Sequence, residues 1–326
     1  MQNEWNGIGV FVEHMFEKPH PGSLEILGKA RELGDKYGIN VMAFLLTHKE
    51  YEWINDLINY GADHVIYSIN PLFEHFNSDV YFQGMTKLIR SFKPRYMLIP
   101  ATRNGVDIAS RLAIEFDTNL TAHVIMLDID QSTKELISGV PGFGGNIVAV
   151  VRGVKGLPYM ATVSVGAFES KFIENREGKI EKVDLDIDES KIRIKVVEKE
   201  LKEIVDISRA EKILIAGMGC QEAYDKVKKL AEKLGLAFGV TRPLADIGLA
   251  PRSLQIGSTG VNLKSKVAII LGVSGAPHFV SGIRDVEKVI SVNIDDEAPI
   301  LDHSDVFVLA DLEEVVDKIY EKLGGE

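Results

Sequence analysis

Short apolar runs alternate with amphipathic stretches through the first half of the chain. Gly7 to Val12 predicts a strand, and Leu24 to Tyr37 predicts a helix in which Leu24, Leu27, Ala30, Arg31 and Leu33 recur near helical spacing. Val41 to Leu46 predicts the next strand, so the chain opens as a βαβ unit. The pattern continues through Tyr51 to Tyr60, His64 to Tyr67, Val80 to Phe92, Tyr96 to Pro100 and the helix from Val106 to Glu115. A run such as Tyr96-Met-Leu-Ile has no polar alternation and suits a strand buried on both faces, which favours a mostly parallel sheet covered by helices.

From Gly139 the texture turns to glycine-rich β: Gly142, Gly144, Gly145, Gly153, Gly156 and Gly166 punctuate Ile147 to Val151 and Tyr159 to Val165. Between Glu169 and Glu203 the chain becomes charged, and Lys191-Ile-Arg-Ile-Lys-Val alternates as an edge strand would before a linker. A second α/β unit starts at Ile213 to Ala216. It continues with a helix from Gln221 to Leu234, strands at Val267 to Leu271 and Val289 to Asn293, and a closing helix from Leu312 to Leu323. The expected fold is α/β with two domains, 1–204 and 205–326, each a mostly parallel sheet with flanking helices. The first carries the glycine-rich β extension, and the second is Rossmann-like.

Composition narrows the function. With 37 basic against 48 acidic residues and a net charge of −11, the chain lacks the basic face that binds a phosphate backbone, so nucleic acid is not an expected partner. The single cysteine, Cys220, excludes an intrachain disulfide and cannot alone hold an iron–sulfur or Cys-rich zinc site, which fits a reducing cytoplasm. No apolar run approaches the roughly 20 residues of a membrane span, and the first residues predict no export signal.

The candidate chemistry lies between Gly239 and Asp311, where Gly-Val-Thr-Arg, Gly-Ser-Thr-Gly, Gly-Val-Ser-Gly-Ala-Pro-His and Val-Asn-Ile-Asp-Asp-Glu-Ala-Pro interrupt the apolar pattern. Glycine lets a backbone approach phosphates and flat rings, while free amides and Ser/Thr hydroxyls donate to their acceptor atoms. A nucleotide site, and in particular a flavin site, is the expectation. Upstream, Gly217-Met-Gly-Cys-Gln-Glu follows a strand and opens a helix as a pyrophosphate loop does, but Glu222 replaces the third glycine of the dinucleotide fingerprint, so a tight turn without a ligand is equally open.

These segments resemble the α subunit of electron-transfer flavoproteins, through Gly239-Val-Thr-Arg-Pro-Leu-Ala-Asp246, Gln255-Ile-Gly-Ser-Thr-Gly260, Gly272-Val-Ser-Gly-Ala-Pro-His-Phe-Val-Ser-Gly282, Val292-Asn-Ile-Asp-Asp-Glu-Ala-Pro299 and Asp311-Leu312. The resemblance is strong after Gly239 and weaker before it, where Pro100 to Ala113 and Thr162 to Phe168 resemble family segments with Ser110 and Ser164 in place of the usual proline and arginine. It implies FAD as cofactor, a β subunit on which the first domain packs, and electron exchange with a dehydrogenase or a quinone oxidoreductase, within an electron-bifurcating complex in one version of the family.

The resemblance assigns the cofactor-binding residues to Thr241, Arg242, Gln255, Ile256, Gly257, Ser258, Thr259, Ser274, Gly275, Ala276, Pro277, His278, Phe279, Asn293, Asp311 and Leu312. Thr259 would donate to flavin N5. Arg242 would place positive charge near N1 and O2, or else only pair with Asp246. Asn293, Asp311 and Leu312 would meet the adenosine and ribose end, with Asp311 also suited to cap the last helix. Two departures stand out: Met218 replaces an arginine, and the family histidine near O2 aligns with Phe279, one residue after His278. The rival readings are a non-redox nucleotide-binding sensor or assembly module and an NAD-dependent enzyme.

Overall fold

The computed structural model describes residues 5–15, 17–142, 147–153, 155–195, 207–208 and 210–324. They fall into two compact units, one within 5–195 and the other within 207–324. The expected boundary at 204/205, with Gly144 and Gly145, lies outside the described residues.

The first unit comprises β1 (Ile8–Val12), β2 (His14–Met15), β3 (Lys18–Pro19), α1 (Pro21–Tyr37), β4 (Val41–Thr47), α2 (Asp56–Asn59), β5 (His64–Ile69), α3 (Ser78–Phe92), β6 (Tyr96–Pro100) and α4 (Arg103–Glu115). Next come β7 (Leu120–Val124), β8 (Met126–Ile129), β9 (Leu136–Gly142), β10 (Ile147–Arg152), β11 (Tyr159–Val163) and β12 (Lys179–Lys182). Seven strands form a parallel sheet in the order β12-β5-β4-β1-β6-β11-β7. Its two faces explain the unbroken apolar runs. In β4, Val41, Ala43 and Leu45 enter one core while Met42, Phe44 and Leu46 enter the other. Helix α1 begins where Pro21 pre-sets the backbone and the His20 ring accepts the Gly22 N–H, and it ends at Gly38, whose φ of 65° suits glycine.

The glycine-rich region divides: β9 and β10 pair with β8 in an antiparallel sheet ordered β10-β9-β8, with β10 exposed along its length, whereas β11 joins the parallel sheet between β6 and β7. The edge strand expected at Lys191 is absent: Glu189–Lys191 is a 3₁₀ turn and 192–195 form no strand, while Val196 is not among the described residues. Side chains, not a ladder, satisfy this backbone. The Arg193 N–H donates to the Asp79 carboxylate (2.8 Å), and Asn77 Nδ2 donates to the Ile194 carbonyl (2.8 Å). The edge is instead β12, paired parallel with β5.

The second unit contains β13 (Lys212–Ala216), α5 (Tyr224–Lys233), β14 (Ala237–Val240), α6 (Arg242–Asp246), β15 (Val267–Leu271), α7 (Pro277–Val280), β16 (Lys288–Asn293), β17 (Val306–Leu309) and α8 (Leu312–Lys322). Its parallel sheet runs β14-β13-β15-β16-β17, a doubly wound order. Leu214 and Ala216 face one core, Ile213 and Ile215 the other. The helix expected from Gln221 starts later, at Tyr224, because Met218–Cys220 is a 3₁₀ turn held by the Gly219 N–H on the Gly272 carbonyl (3.0 Å).

Candidate functional site

Parallel strands send every strand-to-helix loop to one edge of the sheet. Register places Ala216 beside Val240 and Leu271, Leu271 beside Val292, and Val292 beside Val308. The loops after β13 to β17 therefore leave at one level, the edge where open α/β sheets take ligands. The Gln255–Gly260 segment joins them beside β14, since the Ile256 N–H donates to the Val240 carbonyl (2.9 Å).

Between β13 and β15 the glycines serve backbone packing. A Cβ on Gly217 would lie 2.1 Å from the Gly272 carbonyl oxygen, and one on Gly272 would lie 2.9 Å from Gly219 Cα. The Gly217-Met-Gly segment is thus a tight turn pressed on its neighbour, while Met218 projects into solvent at 44 % exposure. Cys220 is fully buried with its thiol on the Leu271 carbonyl, and burial pushes its pKa up to about 12, so it is no nucleophile.

Two further loops interlock. The Ser258 N–H donates to the His278 carbonyl (2.8 Å), Ser258 Oγ and His278 Nδ1 lie 3.0 Å apart, and Ser281 Oγ donates to the same carbonyl (2.9 Å). Gly257 has φ 133°, and a Cβ there would lie 2.6 Å from the His278 oxygen, so only glycine fits. Buried Gln255 donates from Nε2 to Thr259 Oγ1 (2.9 Å). Gly275, φ 89°, sits against the Ile300 backbone, where a Cβ would lie 2.2 Å from the nitrogen.

The expected site residues separate into groups. Arg242, Ser258, Thr259, Ser274, Ala276, Pro277 and His278 are exposed on these loops. Thr241, Gln255, Ile256, Gly257, Gly275 and Phe279 are buried and support them from beneath. Phe279 belongs to the core with Ile256 and Ile283, so His278, not Phe279, presents its ring at the loop surface. Asn293 ties loops together, donating from Nδ2 to the Val273 carbonyl (2.9 Å) and accepting the Asp295 N–H (3.2 Å). Asp311 caps α8 through the N–H groups of Glu313 and Glu314, and Leu312 packs on the core. Arg242 pairs with Asp246 (3.2 Å), and sequence reasoning missed that Arg252 pairs with the same carboxylate (2.9 Å).

A groove of ≈ 990 Å³ elsewhere in this unit, between α5 and α8, is rimmed by charges of both signs, including the Lys226–Asp317 pair at 2.6 Å. It lacks the exposed glycine and hydroxyl loops that suit a flat ring.

Residues 8–188 match the family described as "Electron transfer flavoprotein domain", and residues 206–284 match "Electron transfer flavoprotein FAD-binding domain". The chain belongs to the electron transfer flavoprotein alpha-subunit family. Among its relatives, the electron transfer flavoprotein subunit alpha of Clostridium acetobutylicum is 35% identical over 97% of this chain and 96% of that protein. The lactate dehydrogenase (NAD(+),ferredoxin) subunit LctC of Acetobacterium woodii is 33% identical over 98% and 78%, respectively. The acryloyl-CoA reductase electron transfer subunit beta of Anaerotignum propionicum is 32% identical over 96% and 94%. No helix among the described residues is long and apolar enough to cross a membrane.

FAD is the cofactor of this family's C-terminal domain. The residues present fit it: Ser258, Thr259 and Ser274 hydroxyls are exposed on loops whose glycines admit no side chain, and the buried Thr241 hydroxyl at the end of β14 has no hydrogen-bond partner.

Proposed function

We propose that this chain holds one FAD on the carboxyl-edge loops of its second unit and carries electrons as a heterodimer with an electron-transfer flavoprotein β subunit. The observation that carries this reading is the interlocked pair of loops, Gln255–Gly260 and Ser274–Gly282, with Ser258, Thr259, Ser274 and His278 exposed on one edge. When bound, the flavin supplies one- and two-electron chemistry, and the protein tunes it. Thr259 donates a hydrogen bond to ring N5. The Arg242 guanidinium, 62% exposed, supplies positive charge that favours a reduced, negatively charged ring and raises its potential. His278, fixed on Ser258, takes the part of a ring-edge donor, while Thr241, Ser274 and the loop amides hold the ribityl and phosphate groups. Asn293, Asp311 and Leu312 line the adenosine end.

The first unit, in this reading, packs on the β subunit. Support comes from β10, which exposes Ile147, Val148, Val150 and Val151 to solvent. This chain works in the cytoplasm, taking electrons from dehydrogenases or NADH and passing them to a membrane quinone oxidoreductase or another acceptor. The names of the A. woodii and A. propionicum relatives, one a subunit of a dehydrogenase and one an electron transfer subunit of a reductase, support a place inside a larger oxidoreductase complex, which in this reading is an electron-bifurcating one.

A reductive titration of the protein coexpressed with its β subunit, followed in the visible spectrum, tests the reading. The expected result is a flavin reduced by a donor and reoxidised by an acceptor, with potentials altered in Arg242→Ala and Thr259→Val. A colourless protein with bound adenine nucleotide supports the non-redox sensor instead.

A further inference from the structure

Resting on the FAD reading above, we propose that Gln255 is a positioning residue that keeps the Thr259 hydroxyl hydrogen free, so that the hydroxyl can donate outward to a ring acceptor atom. Gln255 is 3% exposed and held at both backbone ends: its N–H donates to the Arg252 carbonyl (3.2 Å) and its carbonyl accepts the Val261 N–H (2.7 Å). A Cβ on Gly260 would lie 2.2 Å from that same carbonyl oxygen, so the turn closes tightly around Gln255. The amide Nε2 reaches Thr259 Oγ1 at 2.9 Å.

An amide nitrogen can only donate, whereas a hydroxyl has one hydrogen and two lone pairs. With one lone pair of Thr259 occupied by Gln255, its hydrogen is free to point away from the protein, and Thr259 is exposed on that side. Neighbouring Ser258 differs, because its oxygen is shared with the ring of His278, also exposed on these loops. Thr259 therefore keeps its hydrogen available for outward donation, with its second lone pair beside it. A ring nitrogen with a free lone pair would meet a matched donor there, whereas the same nitrogen carrying a proton would require the hydroxyl to turn that second lone pair outward. Gln255 would thus favour the unprotonated state of that atom, without touching the ring.

The test uses the full chain with its β subunit, reconstituted with FAD labelled at N5, and reads the nitrogen NMR shift of N5 together with the potential for the second electron. Gln255→Glu offers an acceptor that captures the Thr259 hydrogen. The expected result is loss of the N5 hydrogen-bond shift to the level of Thr259→Val and a higher second potential, by about 59 mV for a tenfold change in a one-electron step. The double variant Gln255→Glu/Thr259→Val should add nothing to Thr259→Val. Gln255→Met, which keeps the bulk and removes the donor, should fall between wild type and Thr259→Val and carries the test if Gln255→Glu does not fold.

Wild-type N5 shifts in both Gln255 variants, or additive effects in the double variant, would overturn the proposal while leaving the FAD reading intact. A wild-type chain that takes up no FAD would overturn both.

Discussion

At the carboxyl edge of the first unit, the loop after β1 carries Glu13, whose carboxylate accepts hydrogen bonds from Thr102 Oγ1 (2.5 Å) and Asn104 Nδ2 (2.8 Å) at the start of α4. At the same edge of the second unit, Ser258, Thr259 and Ser274 face solvent and the Thr241 hydroxyl lies buried and unpaired. Both units are parallel sheets covered by helices, so architecture does not separate them. The first closes its edge with its own anion against a helix N-terminus, where a ligand's charge could otherwise sit. The second spends its glycines on locking loops together and leaves donors over for a ligand.

The largest effect that would break this contrast is expected at Gly257. Gly257→Ala forces a Cβ against the His278 carbonyl at a φ that disfavours it. The cost should be about 3 kcal/mol of second-unit stability, with loss of bound FAD, read by calorimetry and by flavin release. The loop glycines were legible in the sequence because composition alone marks them, and the strands were legible because burial on both faces leaves unbroken apolar runs. Their partners were not legible. Nothing in the spacing of Gly275 and Ile300, or of Gly257 and His278, says that one backbone lies on the other.

A comparable effect confined to the first unit is expected at Asp79, which is almost fully buried between Arg111 (2.8 Å) and the Arg193 N–H. These bonds, the Arg193 backbone N–H foremost and then the Arg111 side chain, hold its carboxyl below the ordinary value of 3.8. Because the folded pKa is depressed, its stabilisation is complete above the ordinary carboxylate pKa and is lost as pH falls through the folded value. Asp79→Asn should lower first-unit stability by about 3 kcal/mol at neutral pH and flatten the acid side of the unfolding curve, without changing FAD affinity. This same constellation defeated the expected strand at Lys191: the alternation was real, but the buried carboxylate claimed the backbone N–H at Arg193 first.

Smaller effects sharpen the comparison. Glu13→Gln weakens charge-assisted hydrogen bonds and should cost about 1.5 kcal/mol of first-unit stability, with FAD content unchanged. Arg242→Ala removes an exposed pair with Asp246, so its stability effect should stay within about 0.5 kcal/mol, while the flavin potential falls because a positive charge is lost from the ring's surroundings. At Phe279 the alignment says nothing of burial: the aligned side chain lies in the core, and the ring at the loop surface is that of His278.

The most direct measurement is the FAD content of the coexpressed complex, by flavin release and absorbance, for wild type, Gly257→Ala and Glu13→Gln side by side. The account predicts that Gly257→Ala loses one FAD per chain relative to wild type and that Glu13→Gln loses none. A wild-type chain contributing no FAD, or a folded Gly257→Ala complex with full FAD beside a depleted Glu13→Gln complex, would contradict it.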